Sequence, residues 1–144
     1  MPNPTMLKFG YPGNAIAETE HWAVLLRPQQ PTLGALVLAC KDDVQAFGTL
    51  SPEAFADLQG VVAKTESMLR AFVGYERINY LMLMMVDPDV HFHVLPRYSE
   101  PRRHGETDFP DAGWPGPPVL GEAVTPDSSM TADLVARLKA HWGA

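Results

Sequence analysis

The sequence predicts an α+β fold in which an antiparallel sheet packs against one long helix and a C-terminal helix. Residues 21–27 and 34–40 are apolar and strand-like, and a turn-forming stretch with two prolines separates them. A long amphipathic pattern follows, and two more strand-like segments come after it. The gaps are of hairpin length, which favours antiparallel pairing because parallel strands need long crossover connections.

The long helix is predicted to begin after Ser51 and to end before Gly74. Serine is a favoured N-cap, Pro52 suits the first helical position, and Glu53 places an acid in the first turn. Glycine just after the last periodic residue is typical of a helix C-terminus. The apolar side chains between these ends recur with a period of about 3.6 residues. They are Phe55, Leu58, Val61, Val62, Met68, Leu69 and Phe72.

The segment after this helix predicts two further strands. Residues 78–86 are almost all apolar, which indicates a central strand buried on both faces. Residues 89–97 predict the next strand, in which side chains alternate between the two faces. The face suited to the core carries Val90, Phe92 and Val94. The opposite face carries Asp89, His91 and His93.

The last third of the chain predicts a loop and then a helix. Residues 101–128 are rich in proline, and within them residues 108–118 cannot form a regular helix or a central strand. This segment is expected to be an ordered surface loop anchored by Trp114. Residues 129–143 predict the C-terminal helix, because apolar residues recur there at helical spacing. Residues 1–144 are expected to form a single domain.

Composition excludes several classes of function. A net charge of −6 argues against the nucleic-acid backbone as the main partner. The longest apolar run, residues 80–86, is far shorter than the roughly 20 residues of a membrane span. The N-terminus lacks the basic and apolar regions of a signal peptide. The single cysteine, Cys40, cannot form an intramolecular disulfide, so a cytoplasmic location is expected.

The pattern of Asp89, His91 and His93 admits three interpretations. The first is a solvated sheet face that carries polar residues and no site. The second is a metal site, because two imidazoles and a carboxylate form a ligand set for zinc or non-haem iron. Residues four apart on a strand are separated by about 13 Å, however, so three ligands on one ion require a strong bend.

The third interpretation is nucleophilic chemistry on phosphorus. A neutral imidazole is a good nucleophile near pH 7, since its pKa lies near 6.5. A second imidazole on the same face can donate a proton to the leaving oxygen. Arg97, Arg102 and Arg103 follow the strand, and arginines hold phosphate oxygens well.

The strand with the two histidines resembles the signature of the histidine triad family. In that signature three histidines alternate with apolar residues, and the second and third correspond to His91 and His93. The flanking residues 78–80 and 94–97 are also similar to bacterial members, on the branch of the dinucleoside polyphosphate hydrolases. The resemblance covers about residues 15–100.

The resemblance implies a sheet of about five antiparallel strands, a homodimer, and cleavage of a nucleotide at its α-phosphate. The substrate would be a dinucleoside polyphosphate or a nucleoside phosphoramidate. His91 would be the nucleophile that forms a nucleotidyl-histidine, and His93 would assist the leaving group. Asn79 would help to hold the nucleotide, and Arg97 would stabilise the leaving side. No cofactor is expected beyond Mg²⁺ that arrives with the nucleotide.

The chain departs from the family pattern at Asp89, which replaces the first histidine. A carboxylate there can stabilise a His91 imidazolium and raise the pKa of His91. It also repels a bound phosphate, by roughly 3 kcal/mol at about 6 Å and an effective dielectric constant of about 20. Two alternatives therefore stay open. The first alternative to the nucleotide hydrolase is a module that binds a nucleotide without cleaving it. The second is a metal-dependent hydrolase that uses Asp89, His91 and His93.

Overall fold

The computed structural model describes residues 2–143, which form three α-helices, one 3₁₀ turn and seven strands. In chain order these are α1 (Pro4–Lys8), β1 (Ala15–Glu18), β2 (Trp22–Leu26), β3 (Leu36–Cys40), the 3₁₀ turn (Phe47–Thr49), α2 (Pro52–Phe72), β4 (Arg77–Leu81), β5 (His91–Arg97), β6 (Arg102–His104), β7 (Thr107–Phe109) and α3 (Ser128–His141). None of the helices in this part of the chain is both long and apolar enough to cross a membrane.

A five-stranded antiparallel sheet lies at the centre of the fold, in the order β1-β2-β3-β5-β4. The strand that carries the histidines, β5, is therefore an inner strand between β3 and β4. A separate two-stranded sheet is formed by β6 and β7. The predicted α+β class, with an antiparallel sheet, one long helix and a C-terminal helix, is confirmed.

The two faces of the sheet are covered differently. The larger apolar core lies between one face and the helices α2 and α3. The other face is covered in part by α1 and the residue after it, since Met6 and Phe9 pack on small and aliphatic side chains. These are Ala23 and Leu25 of β2 and Val37 and Ala39 of β3. The short helix therefore leaves open part of the face over the inner strands.

Local signals set the ends of α2 as predicted. The Ser51 hydroxyl accepts a hydrogen bond from the backbone N–H of Ala54 at 3.1 Å, and Pro52 opens the helix. Gly74 lies just beyond the C-cap with φ of 64°, a conformation that glycine adopts without steric cost. The C-terminal helix is also confirmed, with Leu134 and Leu138 fully buried.

The prediction of a central strand over residues 78–86 is wrong. The strand β4 ends at Leu81, lies at the edge of the sheet and is only partly buried. The chain then leaves the sheet: Met84 has φ of 48°, and Met85 and Val86 are each 84% exposed. Apolar character alone cannot separate a buried strand from an apolar loop, because both lack the alternation that marks a half-buried strand.

The segment 101–128 differs in part from the predicted loop. It contains the β6–β7 hairpin, whose strands are three residues long and largely charged, so they give no apolar alternation. The fully buried aromatic residue is Phe109, whereas Trp114 is partly exposed. Phe109 therefore anchors the segment in the core in the place expected for Trp114.

Candidate active site

Two histidine side chains of β5 lie together on the sheet face that α1 covers. His91 is in register with Ala39 of β3 and His93 with Val37, so both imidazoles project to that face. Their ring centroids are 5.2 Å apart and their planes meet at 76°. Phe9 packs against both rings, at centroid distances of 5.9 Å and 5.5 Å. The predicted alternation therefore holds for these two residues.

The two imidazoles line a cavity of about 350 Å³. Two cationic side chains, Lys8 and Arg27, form part of its wall. Residues 83–87, which follow β4 out of the sheet, form an apolar wall that ends in Asp87. The cavity thus combines imidazole nitrogens, positive charge and apolar surface, which are the elements of a small-molecule site.

A backbone carbonyl fixes the tautomer of His91. Its Nδ1 lies 2.6 Å from the carbonyl oxygen of Asp89. A carbonyl oxygen only accepts hydrogen bonds, so Nδ1 carries the proton and donates it. In the neutral ring, Nε2 therefore keeps its lone pair. The residue is 1% exposed and forms part of the wall of the cavity.

His93 is held as an uncharged imidazole. Arg27 donates a hydrogen bond from Nε to Nδ1 of His93 at 3.4 Å, which leaves the ring proton on Nε2. Burial, followed by the nearby charges of Arg27 and His91, lowers the pKa of His93 to about 4. The ring is therefore neutral at pH 7 and can donate a hydrogen bond only through Nε2–H.

The carboxylate of Asp89 is buried and is occupied by donors from the protein itself. Its Oδ2 accepts hydrogen bonds from the hydroxyl of Thr5 at 2.9 Å and from the Thr5 backbone N–H at 3.4 Å. Its Oδ1 accepts one from the Gln45 amide at 2.9 Å. Burial acts to raise the pKa of Asp89, but the hydrogen bonds from Gln45 and Thr5 outweigh it and hold the pKa below its usual value. Asp89 ties α1 to the start of β5.

The two cations of the cavity differ in their partners. Lys8 forms an ion pair with Asp87 at 2.8 Å, so its charge is largely offset. Arg27 donates from one terminal nitrogen to the backbone carbonyl of Gln29 at 2.9 Å. Within residues 2–143, no carboxylate lies in ion-pair distance of the Arg27 guanidinium. Arg27 is thus a partly buried cation without a counter-charge.

The structure places Asn79 and Arg97 away from the histidines. Arg97 lies four residues after His93 on β5, which corresponds to roughly 13 Å along the strand. Its guanidinium forms a two-pronged ion pair with Asp111 at 2.6 and 3.0 Å. It also donates to the Asn79 side chain at 2.7 Å and to the Gly116 carbonyl at 2.9 Å. These contacts use four of the five N–H groups of the guanidinium, and Asp111 offsets its charge, so it has little capacity left for a phosphate.

Asn79 and Arg97 line a second cavity of about 520 Å³, together with Arg77 and Trp114. This cavity is larger than the one that contains the histidines. The two predicted groups of site residues therefore lie in two separate cavities. Among residues 2–143, no three His, Cys, Asp or Glu side chains are grouped as a metal ion would require.

No family model and no curated protein matches the sequence. A histidine triad protein from Bradyrhizobium japonicum superimposes with a TM-score of 0.76 at 17% identity, covering 99% of this chain and 97% of that one. A histidine triad protein from Sinorhizobium meliloti gives 0.76 at 21% identity, covering 98% and 96%. The chain has the histidine triad fold.

A third structure with the histidine triad fold is a hypothetical histidine triad nucleotide-binding protein from Sulfolobus tokodaii. It superimposes with a TM-score of 0.68 at 17% identity, and the alignment covers 95% of this chain and 88% of that one. At such identities the similarity concerns the fold. The high coverage of both chains shows that the fold is shared from end to end.

Sequence analysis missed three side chains of the histidine cavity: Lys8, Phe9 and Arg27. The first two lie outside the stretch that resembles the histidine triad signature. Arg27 directly follows β2 and precedes a proline, a position that looks like an ordinary strand end. Its proximity to His93, which is 66 residues later in the chain, follows only from the strand order.

Proposed function

We propose that the chain is a nucleotide hydrolase or transferase of the histidine triad type. It acts at the α-phosphate of a nucleoside 5′-phosphate derivative, through a nucleotidyl-histidine on His91. The observation that carries this proposal is the hydrogen bond between His91 Nδ1 and the Asp89 carbonyl, inside a cavity that also contains a cation. That bond leaves Nε2 with its lone pair, which is the atom a nucleophile needs.

Two displacements account for the reaction. In the first, Nε2 of His91 attacks the α-phosphorus, a P–N bond forms, and the bond to the leaving group breaks with its electron pair going to that group. In the second, water attacks the same phosphorus, the P–N bond breaks, and the pair returns to Nε2 while a proton is released. Transfer to another acceptor replaces water by a different nucleophile. No metal is part of either step, and Mg²⁺ enters only with a polyphosphate substrate.

The neighbouring groups fit these steps. His93 presents Nε2–H as a hydrogen-bond donor for a phosphate oxygen, and Arg27 supplies positive charge beside it. The backbone carbonyl of Asp89 stabilises the charge that His91 acquires when Nε2 is bonded to phosphorus. Because the Asp89 carboxylate accepts from Thr5 and Gln45, its capacity to ligate a metal is reduced. This favours phosphorus chemistry over the metal-dependent alternative.

A second copy of the chain is the partner that we propose. The edge strand β4 leaves backbone groups unpaired on one side. An apolar cavity of about 190 Å³ lies beside it, lined by Leu38, Leu58, Val62, Tyr80 and Phe92. Sedimentation velocity should show a species of twice the chain mass, and a monomer at all concentrations contradicts the dimer.

A cytoplasmic location stays a prediction.

A product assay tests the activity. The protein is incubated with diadenosine tetraphosphate and with adenosine 5′-phosphoramidate, with and without Mg²⁺, and AMP is measured by chromatography. We expect His91→Ala to lower AMP release at least about 1,000-fold, because the nucleophile is lost. His141→Ala, a change of a histidine outside the cavity, is the matched control and should keep full activity.

Three results separate the candidates. AMP release that disappears in His91→Ala supports the proposed enzyme. Nucleotide binding without any product supports the alternative of a binding module that lacks catalysis. Full activity in His91→Ala contradicts the nucleophilic role of this residue.

A further inference from the structure

Arg27 is a partly buried cation of the cavity that has no carboxylate partner among the described residues. Its guanidinium is partly buried, and burial lowers its pKa from the usual value. The chain as a whole carries a net charge of −6, yet no carboxylate among the described residues pairs with this side chain. A buried charge without a counter-charge is costly, so a site that keeps one is arranged for a ligand of opposite charge.

The position of Arg27 relative to the two histidines is specific. His91 contacts His93, and His93 in turn accepts the hydrogen bond from Arg27, so the three groups follow one another across the sheet face. Ala35 is hydrogen-bonded to the backbone of Arg27 and presents only a methyl group there. That small side chain leaves room for Arg27 to extend from β2 toward β5.

The cavity continues past Arg27. A smaller space of about 250 Å³ is lined by Lys8, Phe9, Arg27, Pro28 and Gln29. Four of these residues also line the histidine cavity, so the two spaces adjoin along a wall that includes both cations. A ligand attacked at His91 can therefore extend beyond His93 and Arg27 into the second space. Because Lys8 is paired with Asp87, the net positive charge on this path comes from Arg27.

We propose that Arg27 selects substrates whose leaving group is a phosphate chain. The site then cleaves phosphoanhydrides in preference to phosphoramidates, and Arg27 is the residue that sets this specificity. The inference rests on the proposed function, because it concerns the leaving group of that same reaction. Its distinct content is the contact between the Arg27 guanidinium and the departing phosphate.

The chemistry of the two leaving groups explains the preference. When His91 attacks a phosphoanhydride, the P–O bond breaks and the electron pair stays on an oxygen of the departing phosphate, which leaves as an anion. Arg27 offsets this growing negative charge and no proton is needed. When the bond that breaks is P–N, the departing nitrogen needs a proton, and a cation next to it hinders protonation. His93 also does little to protonate the departing nitrogen, because a neutral imidazole is a weak acid.

The test compares two substrates and three proteins. The ratio kcat/KM is measured for diadenosine tetraphosphate and adenosine 5′-phosphoramidate with the unchanged chain, Arg27→Gln and Arg103→Gln. Arg103 is an exposed arginine on the β6–β7 hairpin and is the matched control. In Arg27→Gln we expect kcat/KM for the tetraphosphate to fall by about 10- to 100-fold, the value of a charge-assisted hydrogen bond. For the phosphoramidate it should fall by less than about threefold, or rise.

Other outcomes overturn the inference. An equal loss with both substrates means that Arg27 acts only by holding His93, and no loss means that it does not meet the leaving group. A chain that cleaves the phosphoramidate alone contradicts it as well. If neither substrate is cleaved, the proposed function fails, and calorimetric binding of inorganic tripolyphosphate tests Arg27 separately. If Arg27→Gln binds tripolyphosphate at least about 10-fold more weakly than the unchanged chain, the anion site at Arg27 is supported. Equal binding by the two proteins contradicts it.

Discussion

Two arginines near β5 are in opposite states: Arg27, which follows β2, and Arg97, which ends β5. Arg27 reaches His93 and has no carboxylate partner among the described residues. Arg97 is 3% exposed and forms its ion pair with Asp111, whose side chain is equally inaccessible. Both arginines line cavities, but only the first has charge left for a ligand. The difference indicates that an unpaired charge, more than a nearby arginine, marks the candidate binding site.

By volume alone, the cavity beside Arg97 would be ranked above the cavity beside the histidines as a candidate site. The space beside Arg97 measures about 520 Å³ and the one beside the histidines about 350 Å³. In the larger space Arg97 is bonded to Asn79 and to the proline-rich segment, so these groups belong to the packing between β5 and that segment. The smaller one has a nucleophilic nitrogen and an uncompensated cation, which are the features that a reaction on phosphorus uses.

The largest effect on stability is expected at the buried ion pair between Arg97 and Asp111. Arg97→Met leaves the Asp111 carboxylate buried without its partner, so unfolding by urea should show a loss of about 3–5 kcal/mol. Specific activity of the folded protein should be unchanged. The double variant Arg97→Met with Asp111→Leu should recover part of the loss, because no charge is then left unpaired. A loss of activity with unchanged stability would make Arg97 a substrate-binding residue. It would contradict the difference in role between Arg27 and Arg97.

An intermediate effect concerns pH and His93. The folded state lowers the pKa of His93 from 6.5 to about 4, so below pH 6.5 the unfolded chain binds a proton that the folded chain does not. Stability should therefore be unaffected above pH 6.5 and should fall, by roughly 2–3 kcal/mol, as the pH drops from 6.5 to 4.

The variant His93→Gln sharpens this test. It removes the titrating group, so the share of the pH slope due to His93 should disappear when unfolding free energies are compared at several pH values. Arg27→Gln removes a charge that lowers the pKa of His93, so the loss of stability should still begin near pH 6.5 but should end at a higher pH and be smaller in total. An unchanged slope in both variants contradicts the coupling between Arg27 and His93.

The smallest effect is expected where α1 joins β5. Thr5→Val removes the hydroxyl that donates to Asp89, at a cost of about 1–2 kcal/mol in unfolding free energy. Because α1 leads into Phe9, which packs on both imidazoles, KM should rise more than kcat falls. Thr5→Ser keeps the hydroxyl and should behave like the unchanged chain. Equal kinetics in Thr5→Val would show that the position of α1 does not matter to the site.

Several features could be predicted from the sequence because they depend on neighbours in the chain. The ends of α2 follow from Ser51, Pro52 and Gly74, whose effects act over one turn of backbone. The shared face of His91 and His93 follows from the two-residue period of a strand. The antiparallel class follows from short connections between strands.

Other features depend on contacts between distant segments, and only the tertiary structure decides them. The edge position of β4, the use of the Asp89 carboxylate by Thr5, and the hydrogen bond from Arg27 to His93 each join residues far apart in the chain. Strand order and register set these contacts, and the local pattern carries no information on them. The sequence by itself determined which residue types could react. Their pairing in space determined which arginine has a carboxylate partner and which has none among the described residues.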